Sequence, residues 1–337
     1  VAAIKRIAAA YGVSPYHIEQ ISNRLHKVSD GQHAYALKQS KLTETNLLAW
    51  EQVYHQAYAS NLSNILPVYL TNQSDLYVKQ DDSYYYLTPW ISDEKPDDER
   101  VIKTAYEAMG DVHAKTKQSL SIDTAPIIQE FNDYQQYCAE YHHTLLTYVA
   151  MFEQNRFMSP FELQVCTHYH VLTNVLDELN NHLERLKDQL EHEPKWNYSL
   201  LHGDLDSSHF LYRNRTYLIN WEKATYDNAV LDLAMLLQKE AQFNNQQTAQ
   251  WAELFQSYQD KNPLTISEQH LLTIYLLDPS HYIALIDAYM ANSGPLTMVE
   301  HVQLLQRAFR QLEFGLRWSH HHEYDDSSAN FENEAES

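Results

Sequence analysis

Between residues 197 and 221 the chain turns to strand-like sequence inside a region that is otherwise helical from about residue 100 to Trp318. The hairpin "HFLYRNRTYLINW" turns there around Arg213 to Arg215. This lone hairpin in a helical half limits the fold most, because the residues before it follow another plan. The opening predicts a short helix, a break at Gly12 to Pro15 and one more helical turn. The stretch 24–39, "RLHKVSDGQHAYALKQ", predicts a hairpin turning at Asp30-Gly31. Ala34, Ala36 and Lys38 then share one face, and His33, Tyr35 and Leu37 the other. Residues 43–59 carry a helical stripe through Leu47, Leu48, Trp50, Val53, Tyr54 and Ala57. A second hairpin, "DLYVKQDDSYYYLTPWI", turns at Asp81 to Ser83.

After the acidic segment 92–100, "SDEKPDDER", helical spacing takes over up to residue 192, with one break near Ser159-Pro160. A small β-rich lobe, a connector and a larger helical lobe with a hairpin at its centre is the plan of protein kinases. The predicted fold class is therefore α+β, bilobal and kinase-like. Its parts are an N-lobe over 1–91, a hinge over 92–100, a helical C-lobe over 101–320 and an acidic, disordered tail over 321–337.

Composition removes several function classes. The net charge is −21, and setting aside the six acids of the last fifteen residues still leaves −15. Such a body repels nucleic acid and anionic membranes, so neither is an expected partner. Lys5 and Arg6 interrupt the opening segment, which predicts no signal peptide. The most apolar stretch, "LLTIYLLDPSHYIALIDAYM", is broken by Asp278, Pro279, His281 and Asp287, which predicts no membrane span. Cys138 and Cys166 form no ligand spacing and read as buried hydrophobes in a reducing compartment. Synthesis in the cytoplasm is the expectation.

The motif "LHGDL", 201–205, sets Asp204 at the end of a short strand before the hairpin. A carboxylate so placed can orient a hydroxyl nucleophile and accept its proton, or simply cap a turn. "DLA" at 232–234 adds an aspartate at a helix start. The ordered set "HGDL…H…INWEKA…DLA" resembles the HGD…N…IDFE/IDWE…D.A pattern of the aminoglycoside phosphotransferase and choline kinase-like superfamily. "AYALK" resembles the strand bearing the nucleotide lysine, "YYYLTPWI" the run into the hinge, and "AMGDVHAKT" the helix before the C-lobe insertion. "SHFLY" followed by "YLINWEKA" resembles the spore-coat-associated kinase-like proteins of the CotS/YsxE type, nearest its YsxE branch. The resemblance spans roughly residues 1–318.

The resemblance implies roles residue by residue. Asp204 becomes the catalytic base, and Lys38 the nucleotide lysine, paired with a helix glutamate at Glu51 or Glu44. Asp232 supports the catalytic-loop backbone. ATP and Mg²⁺ become the implied cofactors, with His209, Asn220 and Glu222 at the nucleotide and metal positions. The departures count against both cofactors. His209 replaces an amide, and neutral imidazole is a poor ligand for hard Mg²⁺. Asn220 replaces a carboxylate, which removes an attraction on the order of several kcal/mol at an effective dielectric of about 20. Asn220 and Glu222 remain the candidate metal ligands, with Asp206 as a further stand-in. The small lobe offers only Gly31 where glycines often bring backbone N–H groups onto phosphate. The expected function is a pseudokinase acting by binding in the spore coat or mother cell, with coat proteins as partners. The alternative is an active ATP-dependent small-molecule phosphotransferase using Asp204.

Overall fold

The computed structural model describes residues 2–243, 245–291 and 294–322. The expected disordered tail therefore lies outside the described residues from 323 onward. Along the chain the elements run α1 (Ala2–Ala10), β1 (His17–Gln20), β2 (Leu25–Ser29), β3 (Ala34–Gln39), α2 (Leu47–Ala59), β4 (Val78–Gln80), β5 (Ser83–Pro89) and α3 (Asp98–Thr116). Then come β6 (Gln118–Ser121), α4 (Ala125–Glu153), α5 (Pro160–His192), β7 (Lys195–Leu201), β8 (Phe210–Tyr212), β9 (Thr216–Leu218) and β10 (Thr225–Asp227). The remainder is helical: α6 (Val230–Phe243), α7 (Asn245–Glu253), α8 (Gln256–Gln259), α9 (Ile266–Leu277), α10 (Ser280–Met290) and α11 (Met298–His321). No described helix is long and apolar enough to cross a membrane.

The first five strands form one antiparallel sheet in the order β1-β2-β3-β5-β4. Both predicted hairpins are present, turning at Asp30-Gly31 and at Asp81-Asp82. Period-two alternation decides what each face does. Val28, Leu37 and Leu87 pack with Ile4, Ile7 and Ala8 of α1, while Lys38 points to the opposite face. Residues 17–20 correct the expected helical turn. They form β1, registered from His17 opposite Ser29 to Gln20 opposite His26. Ile18 packs onto the α1 cluster, and β-branched residues favour that pleated setting. In α2 the stripe holds at Trp50 and Val53, both buried, but Leu48 is 66% exposed.

Helix boundaries follow local capping chemistry. Asp97 caps α3 by accepting the Arg100 N–H at 3.0 Å. Ser159 and Glu162 form a reciprocal capping box at α5, just at the predicted break, with Pro160 in the first turn. Thr265 with Glu268 and Thr297 with Glu300 do the same for α9 and α11.

The chain divides into two compact units. The first comprises the described residues of Val1–Gln118, Asn197–Asp232 and Leu254–Pro263. The expected hinge at 92–100 thus lies within it. Backbone bonds explain the grouping: Leu218 N–H to Asn64 O at 2.7 Å, Leu66 N–H to Leu218 O at 3.1 Å and Glu94 N–H to Tyr212 O at 2.7 Å. They tie the β8–β9 hairpin to the N-terminal half.

The second unit comprises the described residues of Ser119–Trp196, Leu233–Glu253 and those from Leu264 on. Here α5 packs against α4, α9 and α11. Gly315 lets α11 approach α9 closely, since a Cβ there would stand 2.4 Å from Leu276 O. Polar side chains are buried among these helices. His182 Nδ1 lies 2.9 Å from His270 Nδ1, and its Nε2 lies 2.9 Å from Ser319 Oγ. His168 stacks on Phe309 at 3.5 Å between ring centroids and bonds the Tyr282 hydroxyl at 3.0 Å.

Candidate nucleotide and phosphotransfer site

The site lies wholly within the first unit and starts where β7 ends. His202 is fully buried, and its N–H donates to Asp232 Oδ2 at 2.6 Å. The next N–H, of Gly203, donates to Asp232 Oδ1 at 3.0 Å. One carboxylate therefore holds two consecutive backbone donors of the loop, and His113 Nε2 adds a third contact at 3.3 Å. Burial alone would raise the Asp232 pKa, but the His113 hydrogen bond and the donors around it leave it below its ordinary value. His202 Nε2 donates to Ile219 O at 2.7 Å while Nδ1 accepts the Asp204 N–H at 3.3 Å. Those two bonds fix the neutral tautomer, and burial lowers the imidazole pKa.

Gly203 has φ of +75°, and a Cβ on it would stand 2.1 Å from Lys223 O. Only glycine meets both conditions. This close crossing sets Asp204 beside the loop that carries residues 220–223. The Asp204 carboxylate is 40% exposed and pairs with Lys223 Nζ at 3.1 Å. It faces outward.

Asn220 occupies the left-handed region, φ 69° and ψ 48°, which asparagine and aspartate tolerate better than most residues. That bend turns the chain into the short Trp221–Lys223 helical turn. Asn220 Oδ1 accepts from Lys38 Nζ at 2.5 Å, and Glu222 Oε1 accepts from the same ammonium at 2.6 Å. Glu222 Oε1 also accepts the Tyr86 hydroxyl at 3.1 Å and the Ser40 hydroxyl at 3.4 Å. Burial would push the Glu222 carboxyl up, yet Lys38 and these donors hold it below its usual value. Burial likewise lowers the Lys38 pKa, with Glu222 opposing it.

Lys38, Asn220 and Glu222 are thus brought together, but the expected partner of Lys38 is corrected. Glu44 pairs instead with Lys79 at 3.0 Å, and Glu51 lies near Tyr77. Asn46, at the start of α2, donates its amide to Glu222 O at 3.0 Å and ties that turn to the helix. Tyr86, Ser40, His113 and Lys223 were not singled out from sequence. Their roles depend on partners far along the chain, which no local pattern encodes.

His209 ends the Ser207–His209 turn, and its ring hydrogen-bonds the Asp204 backbone. Burial, then the His202 ring, lower its pKa, so the imidazole is neutral near neutral pH. Its Nδ1 is buried without a hydrogen-bond partner, 3.8 Å from Asp206 Oδ2. Asp206 itself accepts the Ser208 N–H at 2.8 Å.

Above Lys38 and Asn220 opens a cavity of about 460 Å³ walled by Leu25, Ala36, Trp90, Leu211 and Ile219. Apolar walls over one ammonium fit a heteroaromatic base and its phosphates. The donor set does not fit a hard divalent cation. Asn220 gives one neutral oxygen, already bonded to Lys38, and Glu222 Oε1 is shared among three donors. His209 contributes nitrogen.

Comparison with known proteins accords with this geometry. The model of the phosphotransferase enzyme family, APH, matches residues 17–265. An aminoglycoside phosphotransferase from Alicyclobacillus acidocaldarius shares the fold with a TM-score of 0.68 at 18% identity, covering 95% of this chain and 96% of that one. AMP-bound spectinomycin phosphotransferase gives 0.55 at 13% identity, covering 93% and 97%. An amicoumacin kinase in complex with AMP-PNP and Ca²⁺ gives 0.53 at 15%, covering 92% of each. A search among curated proteins returned no match. The chain has the kinase-like fold and belongs to the phosphotransferase enzyme family, APH.

Proposed function

We propose that this family member acts by binding, as a pseudokinase of the spore coat, with phosphoryl transfer lost or slow. The observation that carries the first part is the Lys38–Asn220–Glu222 cluster. The oxygens at the metal positions hold the lysine, and one of the two residues has no charge to offer a dication. The coat assignment rests on the sequence resemblance around "SHFLY" and "YLINWEKA". A fluorescent fusion that stays diffuse through sporulation, with a normal coat in the deletion strain, would remove that part. Asp204 favours the second reading, an active small-molecule phosphotransferase. Its carboxylate is exposed on a loop whose Asp232 and His202 supports are intact.

A melting titration separates the two. A ligand at a hundred times its dissociation constant stabilises a fold by ~2.7 kcal/mol, a readily measured shift. The native protein is expected to show little Mg²⁺-dependent stabilisation by ATP. Asn220→Asp combined with His209→Asn is expected to raise it. Strong Mg²⁺-ATP stabilisation of the native chain, with turnover abolished by Asp204→Ala, would overturn the pseudokinase reading.

A further inference from the structure

We propose that the first unit carries a docking face for an acidic peptide segment bearing aromatic or aliphatic side chains, formed where an apolar groove adjoins a basic cavity. The groove, about 780 Å³, is walled by Leu62, Ile65, Val68, Leu70 and Tyr217. Tyr58 stands at its edge 93% exposed, and Leu70 is 56% exposed. Exposed apolar side chains grouped at a groove mark a surface built to be covered. The adjoining cavity, about 560 Å³, is ringed by Arg100, Lys115, Arg213, Arg215 and Lys261. Ser63 and Arg215 line both, so groove and cavity share a wall.

Charge complementarity decides the occupant. The chain has a net charge of −21 and only 24 lysines and arginines, yet five of these line one cavity. Lys115 is paired with Asp111 at 2.8 Å. Among the described residues, Arg100, Arg213, Arg215 and Lys261 make no ion pair. Glu94, Glu107 and Asp111 line the same cavity, so its charge is mixed rather than a continuous positive field. Spaced carboxylates suit that pattern better than the dense, regularly spaced phosphates of nucleic acid. Acidic-motif recognition by arginine clusters beside an apolar anchor site is a recurring mode of peptide binding.

The backbone beside the shared residues Ser63 and Arg215 is tied down. Asn64 Nδ2 donates to Thr216 O at 3.0 Å, and the Asn64 carbonyl accepts the Leu218 N–H at 2.7 Å. Little ordering cost remains for a peptide to meet on this side. The face stands whether or not the cavity above Lys38 takes nucleotide.

The test pans a random dodecapeptide display library against the full chain and counter-selects with an Arg213→Glu/Arg215→Glu variant. Both arginines sit at an exposed hairpin turn, and an unchanged melting temperature checks the variant's fold. The expected winners combine Asp or Glu with Phe, Tyr, Trp or Leu. A fluorescein-labelled copy of the top sequence should bind the native chain, lose about tenfold or more on the double reversal and weaken as salt rises. Leu70→Glu should weaken the same peptide. No enrichment, winners lacking acidic residues, or binding that survives the arginine reversal would overturn the proposal. Equal binding of plain polyglutamate would overturn the groove's part in it.

Discussion

Asp232→Ala is expected to cost about 3–5 kcal/mol of unfolding free energy at neutral pH, the range for breaking a buried, hydrogen-bonded charge cluster. The side chain is 1% exposed and holds the N–H groups of His202 and Gly203 together with His113 Nε2. Alanine leaves three buried donors without their acceptor and a void where the carboxylate was. Water reaches such a site poorly, so the loop must shift to rehydrate them. The shift would carry Asp204 with it, since the Asp204 N–H leans on His202. Asp232→Asn keeps the shape but turns an NH₂ toward a backbone donor, so it should lose less than alanine yet stay well below native. Urea denaturation of the three proteins reads this directly. A loss under about 1 kcal/mol for alanine would show that the carboxylate does not support the loop.

Mild acid should be the second large effect. His168 and His322 are pushed down to about 4 by burial, and His182 to about 3 by burial with the His270 and Arg185 charges adding to it. His202 and His209 are lowered as well, again chiefly by burial. An unfolded chain takes up these protons near 6.5, whereas the folded chain refuses them until much lower pH. Stability is therefore whole above about pH 6.5 and falls as pH drops toward the folded values, by up to ~1.4 kcal/mol per pH unit for each imidazole. Discounted for solvent screening of the partly exposed rings, His168, His182 and His322 make the loss a few kcal/mol at about pH 5, a sizeable part of a typical ~5–15 kcal/mol, and His202 and His209 add in the same direction. Relief of the −21 self-repulsion opposes this only weakly, because ordinary carboxylates keep their charge until about pH 4–5. Both units carry affected histidines, so both should be acid-labile. Urea midpoints at about pH 7.5 and about pH 5 test this, and His168→Phe, which keeps the stack on Phe309, should flatten the profile. Equal midpoints, or a higher one in acid, would sink the account.

Much of the architecture could be read from sequence because its signals are local. Asp30-Gly31 supplies a backbone the hairpin turn needs, and Ser159-Pro160 marks a helix boundary. Lys38, Asn220 and Glu222 meet in one hydrogen-bonded cluster. What escaped prediction depends on distant partners. β1 is four residues long, too short for a periodic signal, and it is a strand only because β2 lies beside it. The partner of Lys38 lies 184 positions away, while the glutamates of the neighbouring helix were the natural guess. That Asn64, Leu66 and Glu94 bond the hairpin at Tyr212 and Leu218 depends on pairings far apart in the chain. Leu48 fits a helical stripe by spacing, but spacing cannot say how wide a face will be covered.

The left-handed backbone at Asn220 has a genetic consequence. Aspartate tolerates φ near 69° as asparagine does, so the main chain gives no reason to resist its return. Every asparagine codon becomes an aspartate codon by changing its first base, and every histidine codon becomes an asparagine codon in the same way. Positions 209 and 220 thus each stand one point mutation from the family's residue. The scaffold around them, from Gly203 to Asp232, needs no rebuilding for either change. On the proposed reading, loss of charge at this site is a step that a lineage can retrace without first remaking its fold.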